Sequence, residues 1–327
     1  MTDALPTHDD VRRAAGRIKD VAVVTPLIES PLLNEELGGR LLVKCEMLQK
    51  TGSFKFRGAY NRIAMIPEAD RRKGVVAFSS GNHAQGVAAA AKLLNTPACL
   101  VMPSDAPAMK IENTRAFSGE VILYDRFRDS REEIGARLSR ERGSTLVKPY
   151  DDPGIIAGQG TIGLEIAAQA KAMGVTPDAV LTACSGGGLV TGVALGLSAG
   201  LPTTLVHSVE PAGLDDMARS LASGKLEKND PAARTICDAL MAPTPGDITF
   251  AVAKQRVKSG FAVTDAEVRK AMATAFRHFK LVIEPGGATT LAAVLSGRLP
   301  IKGRTIVVVA SGGNVDPALF REALAAA

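Results

Sequence analysis

Short apolar runs rich in β-branched residues alternate along this chain with longer stretches in which alanine and leucine recur at helical spacing. The runs at residues 40–45, 74–78, 98–102, 120–124, 179–183, 204–209 and 305–310 predict strands, most of them buried on both faces because polar alternation is weak. An amphipathic opening helix is predicted over 7–18, and helices over 58–66, 84–94 and 108–117 fall between the early strands. Strand and helix in turn mean an α/β protein with mostly parallel, twisted sheets. The pattern restarts with IAGQGTIGLEIAAQAKAMG and runs on to the last strand. Two α/β domains are therefore expected, with a small one at 73–147 inserted in a larger one made of 1–72 and 148–327. The cleft between them is the default site.

Composition narrows the function classes. A chain of 327 residues, 46% hydrophobic, can bury the cores of about two domains. Cys45, Cys99, Cys184 and Cys237 are scattered without metal-finger or CxxC spacing, which reads as a reduced, cytoplasmic setting. The polar opening MTDALPTHDDVRRAAGRIKD lacks the apolar run of a signal peptide, and no stretch is apolar enough to predict a membrane span. Net charge is +5, but basic residues are interleaved with acidic ones, and only 4% of residues are aromatic with no Trp. Neither a nucleic-acid footprint nor a set of stacking platforms is present, whereas a small anionic ligand suits the charge.

Candidate chemistry lies in four motifs at the ends of these elements. In GSFKFRGA, Lys55 stands between Phe54 and Phe56 at the start of a helix; desolvation there lowers the pKa of an amine and makes it a Schiff-base nucleophile. A solvated lysine is the plain alternative. In SSGNHAQG, residues Ser79, Ser80, Gly81, Asn82 and His83 join an apolar strand to an alanine-rich helix, where exposed N–H groups at a positive helix end suit a carboxylate or phosphate. Ordinary helix capping needs only one such residue. Ser185, Gly186, Gly187, Gly188 and Leu189 form a glycine-rich turn able to fold its backbone round an anion, and no P-loop or GxGxxG pattern makes it a nucleotide loop. Ser311, in SGGN, follows the last strand. Strands predicted to be parallel would bring these turns together at their C-terminal edges.

In this order the four motifs resemble the fold-type II, tryptophan synthase β-like enzymes that use pyridoxal 5'-phosphate (PLP), and among them the threonine/serine dehydratase, hydroxyaspartate dehydratase and serine racemase group. The resemblance covers nearly the whole chain. It implies that Lys55 carries PLP through a Schiff base and serves as a base at Cα, with Phe54 beside the cofactor and Asn82 on its ring hydroxyl. It further implies that Ser185 to Leu189 cradle the phosphate, that Ser311 faces the pyridine nitrogen, and that Ser79 to His83 hold the substrate α-carboxylate. A neutral serine at the pyridine nitrogen makes a weaker electron sink and favours β-elimination. Ser185 departs from the glycine that many relatives carry, and its hydroxyl is expected to donate to the phosphate. The implied activity removes water and then ammonia from 3-hydroxyaspartate, threonine or serine, in a homodimer. Ser80, the residue that protonates the opposite face in the racemases, keeps racemisation open as the alternative.

Two further features remain double-sided. The loop EPAGLDD offers Glu210, Asp216 and the Leu214 carbonyl, which the resemblance assigns to Mg²⁺, Ca²⁺ or Mn²⁺; a solvated acidic loop capping the next helix is the other reading. Arg131, Ile134 and Leu138 share one face of a predicted helix, so the arginine points inward. It either reaches a second substrate carboxylate, which favours 3-hydroxyaspartate, or snorkels to solvent or a neighbouring glutamate. A nicotinamide oxidoreductase would explain the glycine turns but not GSFKFRGA, and a non-catalytic amino-acid-binding module would have no need of Lys55.

Overall fold

The computed structural model describes residues 5–79, 81–126 and 128–325. Its strands are β1 (Leu27–Glu29), β2 (Arg40–Cys45), β3 (Val75–Phe78), β4 (Ala98–Pro103), β5 (Glu120–Tyr124), β6 (Thr145–Leu146), β7 (Ala179–Ala183), β8 (Leu205–Pro211), β9 (Ser259–Val263) and β10 (Thr305–Ala310). They form a six-stranded sheet in the order β1-β2-β10-β7-β8-β9 and a four-stranded sheet in the order β5-β4-β3-β6. Every pairing is parallel except β1 with β2. The predicted α/β class with mostly parallel sheets is what the chain adopts. Three strands have no predicted counterpart: β1 and β6 are three and two residues long, and β9 reads SGFAV at a half-buried edge. Such segments carry too few apolar residues to stand out from loops.

Both sheets are covered on two faces, which explains the unbroken apolar runs. On β10, Ile306, Val308 and Ala310 enter one core cluster while Val307 and Val309 enter another. The small sheet divides likewise, with Val75 and Ala77 on one side and Val76 and Phe78 on the other. The alternation has period 2 because successive strand side chains point to opposite faces.

Not every inward strand position is apolar. Lys44 of β2 is fully buried and donates to Glu165 at 2.6 Å, Gln169 at 2.9 Å and the Thr25 carbonyl at 2.6 Å. Arg57, also fully buried, donates to both carboxylates of Glu46 and Glu165 at 2.6 to 3.0 Å. This network joins β2, the helix Lys55–Ala64 and the helix Pro153–Ala172 just behind Lys55. Each buried charge has an opposite partner and hydrogen bonds, the condition under which burial is tolerated.

The helix Pro153–Ala172 meets two others at backbone contact. Against the helix Gly188–Leu197, a Cβ at Gly196 would lie 2.1 Å from the Gly160 carbonyl oxygen; against the helix Lys55–Ala64, one at Gly158 would lie 2.6 Å from the Gly58 Cα. Only glycine permits this approach, which draws the glycine-rich turn and the helix that carries Lys55 onto one common support. Gly196→Ala is therefore expected to cost about 1–3 kcal/mol through overpacking, measured by denaturant unfolding, with the midpoint shifted and the slope unchanged.

Candidate active site

The turns that follow β3, β7 and β10 meet the start of the helix Lys55–Ala64 around one cavity of about 720 Å³. Parallel strands bring them there, since all three sheet exits lie at C-terminal edges. Lys55 is the first residue of its helix, with Phe54 at the N-cap. Its Nζ donates to the Pro149 carbonyl at 2.7 Å and lies 5.1 Å from the centre of the Phe54 ring. The side chain touches the cavity but is enclosed by protein, and this desolvation lowers its pKa to about 8.

The turn after β3 starts the helix Asn82–Leu93. Ser79 Oγ accepts the Gly81 N–H at 3.1 Å. His83 donates from Nε2 to the Val147 carbonyl at 3.1 Å, so Nδ1 keeps a lone pair, and it has no partner among the described residues. Burial, with the nearby Lys55 charge, lowers its pKa to about 3 and keeps the ring neutral. Asn82 donates to Glu284 Oε1 and accepts from Asn314 at 2.9 Å. Ser80 lies outside the described residues.

Sequence reasoning missed Glu284, Lys110 and Tyr150. Glu284 is buried, its Oε2 has no hydrogen-bond partner among the described residues, and desolvation raises its pKa to about 7 against the pull of Lys110. Lys110 Nζ sits 3.7 Å from that oxygen because its short contact, 2.6 Å, goes to Asp238. An apolar run ending in Glu-Pro-Gly-Gly resembles the other turns and was a usable signal for Glu284; nothing distinguishes Lys110 within its helix.

The glycine turn after β7 is held open from two sides. Gly187 takes φ +97°, in the left-handed region, and a Cβ at Gly186 would lie 2.3 Å from Tyr150 ring atoms. Ser185 Oγ accepts the Ala242 N–H at 3.0 Å, which leaves its proton without an acceptor among the described residues. Leu189 and Ser311 also line the cavity, and the Ser311 carbonyl accepts the Phe54 N–H at 3.0 Å.

On the far wall stands Arg131, first residue of the helix Arg131–Arg142 with Ser130 as N-cap. Ile134 and Leu138 pack on the Phe78 cluster, and the guanidinium lies 5.5 Å from the Phe78 ring centre. Nε donates to Glu132 at 2.8 Å, so the inward placement and the neighbouring glutamate both hold. The two terminal nitrogens have no acceptor among the described residues.

Residues 18–312 match the family described as "Pyridoxal-phosphate dependent enzyme". The chain belongs to this family. It is 41% identical over 312 residues to the L-threo-3-hydroxyaspartate ammonia-lyase of a Pseudomonas species, covering 95% of this chain and 96% of that one. It is 39% identical to the serine racemase of Schizosaccharomyces pombe, covering 95% of each chain. The crystal structure of a threonine deaminase from T.th. superposes with a TM-score of 0.89 at 44% identity, covering 95% of this chain and 99% of that one. The fold-type II architecture expected from the motifs is thus shared with solved relatives.

PLP fits the residues present. The glycines of the turn at 185–189 are packed against Tyr150, Met217 and Thr249, so the turn lines the cavity with backbone whose N–H groups suit a phosphate, and the desolvated Lys55 amine suits an aldehyde. The loop 210–216 is a separate matter. Glu210 is buried and accepts the Met217 and Ala218 N–H groups at 3.0 and 2.8 Å, which caps the helix Asp216–Ser223. Asp216 is also buried and accepts from Asn229, but its Oδ2 is unpartnered among the described residues. Burial holds both carboxyls above their ordinary range, Asp216 at about 6. Among the described residues no group of three or more His, Cys, Asp or Glu side chains is placed to hold a metal, so any cation here would need main-chain oxygen such as that of Leu214.

The Lys55 environment has a sign that can be tested in cofactor-free protein. Below about pH 8 the amine is protonated folded and unfolded, and its burial destabilises fully; between about 8 and 10.5 the folded form loses the proton first and the penalty fades. The stability of the wild type relative to Lys55→Met should therefore rise across that window in thermal unfolding. A difference independent of pH would show the amine to be solvated.

Proposed function

We propose that this protein is a PLP-dependent dehydratase, an ammonia-lyase of 3-hydroxy amino acids, acting on 3-hydroxyaspartate beside threonine and serine. One observation carries the reading: a desolvated lysine amine and an arginine whose terminal N–H groups have no acceptor among the described residues line the same cavity. The similarity to a hydroxyaspartate ammonia-lyase and to a threonine deaminase supports it. Bound PLP supplies the electron sink that makes the Cα proton acidic.

In this reading the chain's own residues bind, orient and move protons. The N–H groups of residues 185–189 would hold the phosphate with the Ser185 hydroxyl, Asn82 would serve the ring hydroxyl, and Ser311 would serve the ring nitrogen without giving it a charge. Phe54 shields the Lys55 amine on one side. Ser79, Ser80, Gly81, Asn82 and His83 receive the α-carboxylate at the start of a helix, where the dipole favours an anion. Arg131 takes the second carboxylate. The Lys55 amine removes the Cα proton, the Cβ–O bond breaks, and that proton leaves with the hydroxyl as water. The enamine released then takes up water to give a keto acid and ammonia, so the net loss is ammonia alone. Racemisation is a second reading, favoured by 39% identity to a serine racemase, and Ser80 is then the acid on the face opposite Lys55.

We also propose a divalent cation, Mg²⁺ foremost, at Glu210, Asp216 and the Leu214 carbonyl. The support is two buried acidic side chains on one loop and an Asp216 oxygen with no partner among the described residues. A chelator should lower the unfolding temperature of the wild type, Mg²⁺ should restore it, and Asp216→Asn should abolish both responses in scanning fluorimetry; an unchanged melting temperature would remove the cation.

Lys55→Ala should abolish the visible-edge absorbance of the purified protein and reduce keto-acid release by about 10²–10⁴-fold or more. Arg131→Ala should lower kcat/KM on 3-hydroxyaspartate about 10- to 100-fold more than on threonine, measured by ammonia and keto-acid release. Equal losses on the two substrates would leave the second carboxylate without its partner.

A further inference from the structure

The chain has three tyrosines, and two of them, Tyr124 and Tyr150, line the cavity. Tyr124 ends β5 in register with Pro103, and its carbonyl accepts the Ser104 N–H at 2.9 Å. Phe78, beneath the Arg131 guanidinium, ends β3 on the same sheet edge. Phe78, Tyr124 and Leu138 share one buried cluster, so the helix that presents Arg131 is pinned to the edge that presents Tyr124. Tyr150 lines the cavity beside the glycine turn, its ring filling the space next to Gly186 and its backbone lying against Gly188.

Both phenols line the same cavity as Arg131, and neither hydroxyl has a hydrogen-bond partner among the described residues. Burial holds both above the ordinary phenol range, so they stay protonated donors at neutral pH. An ionised carboxylate offers about four lone-pair sites, and a guanidinium fork fills only two. The Arg131 terminal nitrogens supply that fork, since Nε is committed to Glu132. Two neutral donors on either side match the remaining lone pairs.

We propose that Tyr124 and Tyr150 complete, with Arg131, a subsite for the side-chain carboxylate of a dicarboxylic hydroxy amino acid, and that their hydroxyls set the preference for such substrates over monocarboxylic ones. The inference rests on the Arg131 reading above and adds the residues that make the subsite selective. A methyl group in the same place leaves these donors unpaired, and sites built to hydrogen-bond a substrate group discriminate strongly against analogues that lack it.

The test compares kcat/KM for 3-hydroxyaspartate and threonine in the holoenzyme and in Tyr124→Phe, Tyr150→Phe and Arg131→Ala. Succinate, an unreactive dicarboxylate, is titrated into each holoenzyme by calorimetry as a readout free of turnover. Each phenylalanine should lower the ratio of the two kcat/KM values about tenfold and weaken succinate by a similar factor, the size of one charge-assisted hydrogen bond. If Arg131→Ala shifts the ratio and both phenylalanine variants leave it unchanged, the phenols are excluded and the Arg131 reading stands. If Arg131→Ala shifts neither the ratio nor succinate affinity, both readings fall. Equal losses on both substrates in the phenylalanine variants, with succinate binding intact, would mark the tyrosines as packing residues and overturn the proposal.

Discussion

The hydrogen bond from the Lys55 amine to the Pro149 carbonyl, 2.7 Å long, ties the start of the helix Lys55–Ala64 to the segment that follows β6. That segment makes a distinct contact at nearly every residue. Val147 receives the His83 ring, Tyr150 props the glycine turn, Asp151 accepts the Ile248 and Thr249 N–H groups, and Asp152 caps the helix Pro153–Ala172 while pairing with Arg62. The amine is thus desolvated where the start of its helix meets this segment.

Buried polarity is distributed in two ways. The Lys44, Glu46, Arg57 and Glu165 network is closed: charges face opposite charges, and hydrogen bonds fill the fork of Arg57. Such a network stiffens the start of the helix that carries Lys55, because moving it would expose an uncompensated charge. The cavity wall is open by contrast. Glu284 Oε2 and His83 Nδ1 are buried without hydrogen-bond partners among the described residues, and the Arg131 terminal nitrogens have no acceptor there. Interiors tolerate unmet polar groups mainly where a ligand supplies the partner.

The same contrast explains the specificity argument. In the proposed reading substrates are told apart at the far wall, made of the sheet edge bearing Phe78 and Tyr124, the helix start bearing Arg131 and the segment bearing Tyr150.

Apolar runs at β2, β4, β7 and β10 were legible because two-faced burial leaves few polar residues to blur them, and the turns after them were legible because serine, asparagine and repeated glycine have few uses at strand exits. Lys55 could be singled out between its two phenylalanines, and the inward face of Arg131 followed from helical spacing with Ile134 and Leu138. What no local pattern contains is pairing across long separations. Glu284 meets Asn82, Lys110 meets Asp238, and Tyr150 meets Gly186 only because parallel registers and helix crossings bring distant segments to one point. Sequence alone determined which elements form and which turns are chemically loaded, since those depend on neighbours a few residues apart. Tertiary structure alone decided which polar groups are desolvated and which are left unpaired, since solvent exclusion is a property of the assembled layers.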